Sequence, residues 1–225
     1  MSRTIVLAGA TGLVGRECLR FAARDPAIAK VYALVRRFVH PSAQPQRVEY
    51  RIIDFNRLDD VTLPPPVDAV VCTLGTTLKQ AGSREAFSRV DYEYVLALAQ
   101  RGLGWGARHF LLVSALWANP RSHIFYCRMK GEIEAAVGSL PYQSVTILRP
   151  SVLAGQRAKP RVAEQLFRRI GGLLPSRYRA VTAARVAAAL LAAVNQPRDG
   201  LTVLDNGVLR DTPLPSSTGW SERVT

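Results

Sequence analysis

The stretch Thr4-Ile5-Val6-Leu7-Ala8-Gly9-Ala10-Thr11-Gly12-Leu13-Val14-Gly15 decides how the rest of the chain is read. Its first five residues are apolar or β-branched and predict a strand over Thr4–Ala8, and the helical spacing of apolar residues after the glycines predicts a helix over Leu13–Arg24. Three glycines lie at the junction. Gly9 permits a tight turn, Gly12 lets the backbone approach a pyrophosphate, and Gly15 lets the helix pack on the strand while its N-terminal amides face the anion. The segment Gly9, Thr11, Gly12, Leu13, Val14 and Gly15 is therefore expected to hold the phosphates of a dinucleotide. A plain glycine turn shares the spacing; the position between a strand and a helix favours the phosphate reading.

Working outward, further strands are predicted at Lys30–Val35, Val48–Ile53, Ala69–Thr73, His109–Ser114 and Ser144–Leu148, with helices at Arg84–Arg101 and Phe125–Ser139. Continuous apolar runs such as Ala69-Val70-Val71 and Phe110-Leu111-Leu112-Val113 suit a sheet covered on both faces. The fold class is thus α/β, a Rossmann-type doubly wound parallel sheet with right-handed crossovers. Thr62-Leu63-Pro64-Pro65-Pro66 reads as a stiff connection inside one domain, since too few residues precede it to close a domain. After Pro150, helices at Val162–Gly171 and Thr182–Gln196 and a strand at Leu201–Asp205 are expected. The organisation is one NAD(P)-binding domain over 1–211, with 151–205 as a small cap, and a tail over 212–225 that is expected to be poorly ordered. The chain shows no internal repeat.

A dinucleotide fold usually ends its second strand in an acid that bonds the adenosine ribose. Here that strand ends in Arg36-Arg37. Guanidinium groups there would pair with a 2′-phosphate, which predicts NADP(H) over NAD(H). Asp54-Phe55, after the third strand, is expected to border the adenine, although a surface turn explains the pair equally well. The loop Cys72-Thr73-Leu74-Gly75-Thr76-Thr77 ends the fourth strand and places Leu74, Gly75 and Thr76 along the cofactor.

Tyr126 and Lys130 stand four residues apart, on one face of the predicted helix. A nearby ammonium favours phenolate and makes the phenol a better proton donor to a carbonyl that receives hydride. The same ammonium is expected to bond a nicotinamide ribose. Ser114 ends the fifth strand at the sheet edge where doubly wound folds bind ligands, and is expected to bond the substrate oxygen. Cys72 and Cys127 have no evident base beside them and read as buried, inert thiols.

The chain has 225 residues, 48% of them hydrophobic, and a formal net charge of +13 from 30 Lys+Arg against 17 Asp+Glu. Such a surplus raises nucleic acid as a partner, and Arg149, Arg157, Lys159, Arg161, Arg168, Arg169, Arg177, Arg179 and Arg185 crowd one region. Only Phe167 and Tyr178 lie there to stack on bases, so nucleic acid is not expected; a solvated cap or an anionic small-molecule substrate fits better. Three unclustered cysteines argue against a disulfide framework and a metal site. The most apolar late stretch, Ala180–Val194, is too short to span a bilayer and contains Arg185, and the opening residues lack a secretory signal. A cytoplasmic location, a small-molecule substrate and a possible homodimer are the expectations.

Taken in order, Gly9–Gly15, Cys72–Thr77, Arg89-Val90-Asp91-Tyr92-Glu93-Tyr94-Val95, Ser114, Tyr126 with Lys130, and Leu148-Arg149-Pro150-Ser151-Val152-Leu153-Ala154-Gly155 resemble the short-chain dehydrogenase/reductase superfamily. The likeness is to its atypical branch, in the Tat-interacting-protein-like oxidoreductases. The resemblance implies a Rossmann fold with NADPH across the strand ends, Tyr126 as proton donor or acceptor, and Lys130 as its partner. Two positions depart from the wider superfamily: Ala115 follows Ser114 where relatives often carry a second hydroxyl, and Asp91 stands where many use asparagine in the proton relay. The reading is an NADPH-dependent oxidoreductase of a small carbonyl or alcohol. The alternative is a non-catalytic NADP(H)-binding regulatory or scaffold protein, which the family also includes.

Overall fold

Alternate residues of β1 (Arg3–Ala8) enter two different cores: Ile5 and Leu7 one, Val6 and Ala8 the other. A strand apolar on both faces needs cover on both faces. A computed structural model of the chain, describing residues 2–38, 46–154 and 178–215, shows how that cover is arranged. β1 sits centrally in a seven-stranded sheet with β2 (Ile28–Val35), β3 (Val48–Ile52), β4 (Ala69–Cys72), β5 (His109–Val113), β6 (Ser144–Arg149) and β9 (Gly200–Asp205). The order is β3-β2-β1-β4-β5-β6-β9, and each pairing is parallel. This is the doubly wound arrangement expected from the alternation, and its strand order reverses between β1 and β4, where such folds bind ligands.

One face is covered by α1 (Leu13–Ala22) and α6 (Ala183–Asn195), which bury Val14, Cys18 and Phe21 against Val186, Leu190 and Val194. The other face carries a 3₁₀ segment (Phe55–Asp60), α4 (Tyr94–Gly104) and α5 (Phe125–Gly138), burying Val95, Leu98, Ile133 and Val137. Gly131 of α5 supports close packing: a Cβ there would lie 2.3 Å from the carbonyl carbon of Asn119. The loop after β5 therefore rests directly on the helix backbone.

Several elements differ from the sequence expectation. The single helix expected over Arg84–Arg101 is three joined pieces: α3 (Arg84–Ser88), a π-helical turn (Arg89–Glu93) and α4. A short α2 (Leu78–Ala81), capped by the Thr77 hydroxyl, was not foreseen, because four residues leave no period to detect. Nor were the two-stranded pair β7 (Leu153–Ala154) and β8 (Val181–Thr182) or the short α7 (Asn206–Asp211). The cap expected over 151–205 is smaller than proposed: α6 lies in the core against α1, and β9 extends the main sheet beside β6. Sequence alone separates a cap helix from a core helix poorly, since both show one apolar face. The helix expected at Val162–Gly171 and most of the 212–225 tail lie outside the described residues.

If α6 belongs to the core, Leu190→Ala should destabilise the fold by about 2–5 kcal/mol, because that fully buried side chain leaves a cavity between helix and sheet. Urea unfolding followed by circular dichroism measures this; a shift below about 0.5 kcal/mol, typical of surface sites, would contradict the placement.

Candidate active site

The turn after β1 opens a cleft of about 510 Å³ at the C-terminal edge of the sheet. Gly9 adopts φ +85°, and a Cβ there would lie 2.5 Å from Thr73 Oγ1. The crowding arises because both the amide and the hydroxyl of Thr73 donate to Ala8 O at 2.9 Å, tying the exits of β4 and β1 together. At Gly15 a Cβ would lie 2.1 Å from Gly9 O, so the helix can approach the loop only without a side chain there. Gly12 caps α1 without a side-chain hydrogen bond, and Arg16 N–H is the first amide to bond back, to Gly12 O at 3.0 Å. The amides of Leu13, Val14 and Gly15 thus form the positive end of the helix, the arrangement that suits a phosphate.

Gly9, Thr11, Gly12, Arg36, Phe55, Leu74, Gly75 and Thr76 line this cleft together. Arg37 is exposed and is not among the lining residues, and Asp54 caps the 3₁₀ turn by accepting Asn56 N–H at 2.9 Å. Phe55 stacks on Tyr94 with ring centroids 5.6 Å apart, forming an aromatic wall that sequence reasoning missed in its second half. Tyr94 lies thirty-nine residues away in sequence, and its aromatic character alone carries no signal of that contact.

Between this cleft and the next lies a buried ion pair. Lys130 Nζ sits 2.7 Å from Asp91 Oδ1, and the two residues are 4% and 0% exposed. The other Asp91 oxygen accepts the Thr76 amide at 2.8 Å. The π-helical turn carries Asp91 inward from an otherwise α-helical run, a distortion common at functional sites. Burial opposes the Lys130 ammonium, but Asp91 and then Tyr126 outweigh it, and the pKa is raised above 10.5. Gly75 lies beside the pair, where a Cβ would meet Asp91 Oδ1 at an ordinary 3.5 Å. Asp91 therefore holds both the lysine and the loop after β4, which answers what the acid does in place of asparagine.

Ser114 and Tyr126 line a second cavity of about 430 Å³, beyond Lys130. Ser114 follows β5 and is 6% exposed; among the described residues its Oγ has no hydrogen-bond partner. An orphaned buried hydroxyl is costly and points to a ligand or water as its missing partner. Tyr126 is half-buried, its ring 5.7 Å from that of Phe87. Cys127 also lines the cavity, while burial pushes the Cys72 thiol up to about 12, an unreactive state. No group of metal-ligating side chains occurs among the described residues. Of the basic cluster, Arg149 is paired with the buried Glu134, and Arg157 to Arg177 lie outside the described residues.

No family model matches the chain. It is 32% identical to the protein HTATIP2 of Rattus norvegicus over 213 residues, which cover 91% of this chain and 87% of that one. The chain belongs to the Tat-interacting-protein-like, atypical short-chain dehydrogenase/reductase family. Another relative in this family is the protein FMP52, mitochondrial, of Eremothecium gossypii, 37% identical over 152 residues, or 68% of this chain and 67% of the relative. Among solved structures, MoeE5 in complex with UDP-glucose and NAD matches with TM-score 0.67 at 16% identity, covering 89% of this chain and 75% of that one. Human SDR39U1 with NADPH matches with TM-score 0.63 at 16% identity, covering 90% and 74%. At such identity these two show the fold alone, and they hold different nicotinamide dinucleotides.

The expectation of a cytoplasmic location is overturned by the family's fungal relatives, which are named mitochondrial. Its basis was too narrow: lacking an apolar secretory segment says nothing of organelle addresses, which are amphipathic and Arg-rich. No helix among the described residues is long and apolar enough to cross a membrane.

Removing one partner of a buried pair typically costs about 3–5 kcal/mol, so Asp91→Ala should unfold at markedly lower urea than wild type. Asp91→Asn keeps an acceptor for the Thr76 amide and should lose less. Because the Lys130 pKa is raised, its stabilisation is complete below pH 10.5 and fades only as pH rises through the folded value. In Asp91→Asn burial acts on Lys130 unopposed and pulls its pKa below the ordinary value, so the gap between wild type and variant should be widest at neutral pH and narrow steadily as pH rises; a gap that is absent at neutral pH or widens toward pH 11 would contradict the pairing.

Proposed function

We propose that this protein is an NADPH-dependent oxidoreductase acting on a small carbonyl or alcohol. The observation that carries the reading is the orphaned Ser114 hydroxyl sharing one cavity with Tyr126, beside a buried Lys130 that adjoins the glycine-lined cleft. Those residues fit a nicotinamide dinucleotide: free helix amides for a pyrophosphate, Phe55 and Tyr94 for an adenine, and Arg36 for a 2′-phosphate.

NADPH bound there would supply the hydride that reduces the carbonyl carbon to the alcohol, and the carbonyl oxygen needs one proton from the protein. Tyr126 donates the proton. Ser114 donates its hydroxyl hydrogen to the same oxygen and holds it toward the phenol, filling the bond it lacks among the described residues. Lys130 keeps its positive charge beside Tyr126 because Asp91 offsets its burial, and that charge favours the phenolate left after proton transfer. Asp91 acts through Lys130 and is a positioning residue.

A non-catalytic NADP(H)-binding regulator is the second reading, favoured by Ala115 lining the cavity where relatives often carry a hydroxyl. Turnover separates the two. Tyr126→Phe should lower kcat by about 10²–10⁴-fold across a carbonyl panel with NADPH affinity unchanged, since a positioned acid contributes that much. Equal rates would sink the catalytic assignment. Arg36→Asp should reverse the preference for NADPH over NADH in kcat/KM, and an unchanged preference would remove Arg36 from the 2′-phosphate site.

A further inference from the structure

The cavity that holds Ser114 and Tyr126 carries no charged side chain among its described lining residues, in a chain with 30 Lys+Arg. Its walls are Leu116, Trp117, Ile124, Pro150, Val152 and Tyr178. Two other hydroxyls line it: that of Ser151 already donates to Arg179 O at 2.7 Å, and Tyr178 brings a phenol whose ring faces Trp117. Among the described lining residues, polar recognition thus comes from a few hydroxyls, with Ser114 and Tyr126 at the end beside Lys130 and no charge to pair an ionised group. The rest of the described lining offers mainly dispersion and apolar contact.

Two further features show that these walls are built for an apolar occupant. Trp117 is 60% exposed and Ile124 65%, large apolar surfaces left to water at the cavity rim. Trp117 also has φ 64°, a left-handed backbone that a bulky side chain rarely adopts, and its ring lies 5.9 Å from that of Tyr178. Strained conformations of this kind persist where surrounding structure holds them, and they concentrate at ligand sites. The holding contacts are visible: Leu116 N–H donates to Pro150 O at 2.8 Å, Asn119 N–H to Cys127 O at 2.9 Å, and the Asn119-Pro120 backbone lies against Gly131. The cavity is preformed, and its volume falls in the lower part of the range of about 300–1,000 Å³ usual for small-ligand sites.

We infer that the substrate class is an uncharged carbonyl compound whose body is a ring or branched apolar group seated between Trp117, Tyr178 and Ile124. This rests on the oxidoreductase reading above and excludes a nucleotide sugar or a carboxylate-bearing substrate from this cavity. A charge placed against these walls loses hydration without gaining a partner.

The test compares 2-naphthaldehyde, 6-carboxy-2-naphthaldehyde and UDP-glucose. Binding is read by calorimetry on protein loaded with NADP⁺, which has no hydride to give, and turnover by oxidation of NADPH. The expected result is that 2-naphthaldehyde binds at least about tenfold more tightly than its carboxy derivative, that UDP-glucose gives no heat, and that Trp117→Ala weakens 2-naphthaldehyde about tenfold. Equal or tighter binding of the carboxy compound or of UDP-glucose would overturn the inference, as would a Trp117→Ala variant that binds 2-naphthaldehyde as wild type does. The two readings fail separately: binding of 2-naphthaldehyde without any turnover upholds the apolar cavity and counts against catalysis. Turnover confined to charged substrates upholds catalysis and overturns the cavity assignment.

Discussion

The buried pair of Lys130 and Asp91 is the constraint around which the rest of the site is arranged. An ammonium removed from water would lose its proton or unfold its surroundings unless an opposite charge replaced the lost hydration. Asp91 does so at 2.7 Å while its second oxygen takes the Thr76 amide. One carboxylate thus joins α5, the π-helical turn and the loop after β4. The position of Tyr126 one helical turn earlier, and of Gly75 over the pair, follows from that junction.

On either side of the pair the environments diverge. Toward β1 lie helix amides and Arg36, groups that suit phosphates. Toward β6 lie Leu116, Trp117 and Tyr178, groups that suit only an apolar body. The net charge of +13 describes neither environment, because it counts every charged side chain wherever the fold places it. Net charge speaks to solubility and encounter, and a site is decided by which few charges the fold turns inward.

The strands and the phosphate loop were legible in the sequence because their signals are local: β-branched runs, then glycines at the one junction where a Cβ does not fit. Tyr126 and Lys130 were legible for the same reason, being one helical turn apart. Asp91 was visible as a departure from a family pattern, but its partner was not, since Lys130 lies thirty-nine residues on. Tyr94 against Phe55 and Trp117 against Tyr178 were hidden likewise. The helix Ala183–Asn195 was correctly placed in sequence and wrongly assigned to a cap, because an apolar helix face does not say which surface it meets.

By itself, then, the sequence determined the α/β alternation, the parallel doubly wound sheet, the glycine turn between β1 and α1 and the tyrosine-lysine face of one helix. Tertiary structure decided which acid neutralises the lysine and, among the described residues, which serine is left without a partner and that the cavity beside them is uncharged. The physical reason is one of range. Backbone sterics and helical period act over a few residues and are written in neighbouring letters. Burial, ion pairing and unsatisfied hydrogen bonds are properties of residues brought together from distant strands, and they exist only once the chain has closed around them.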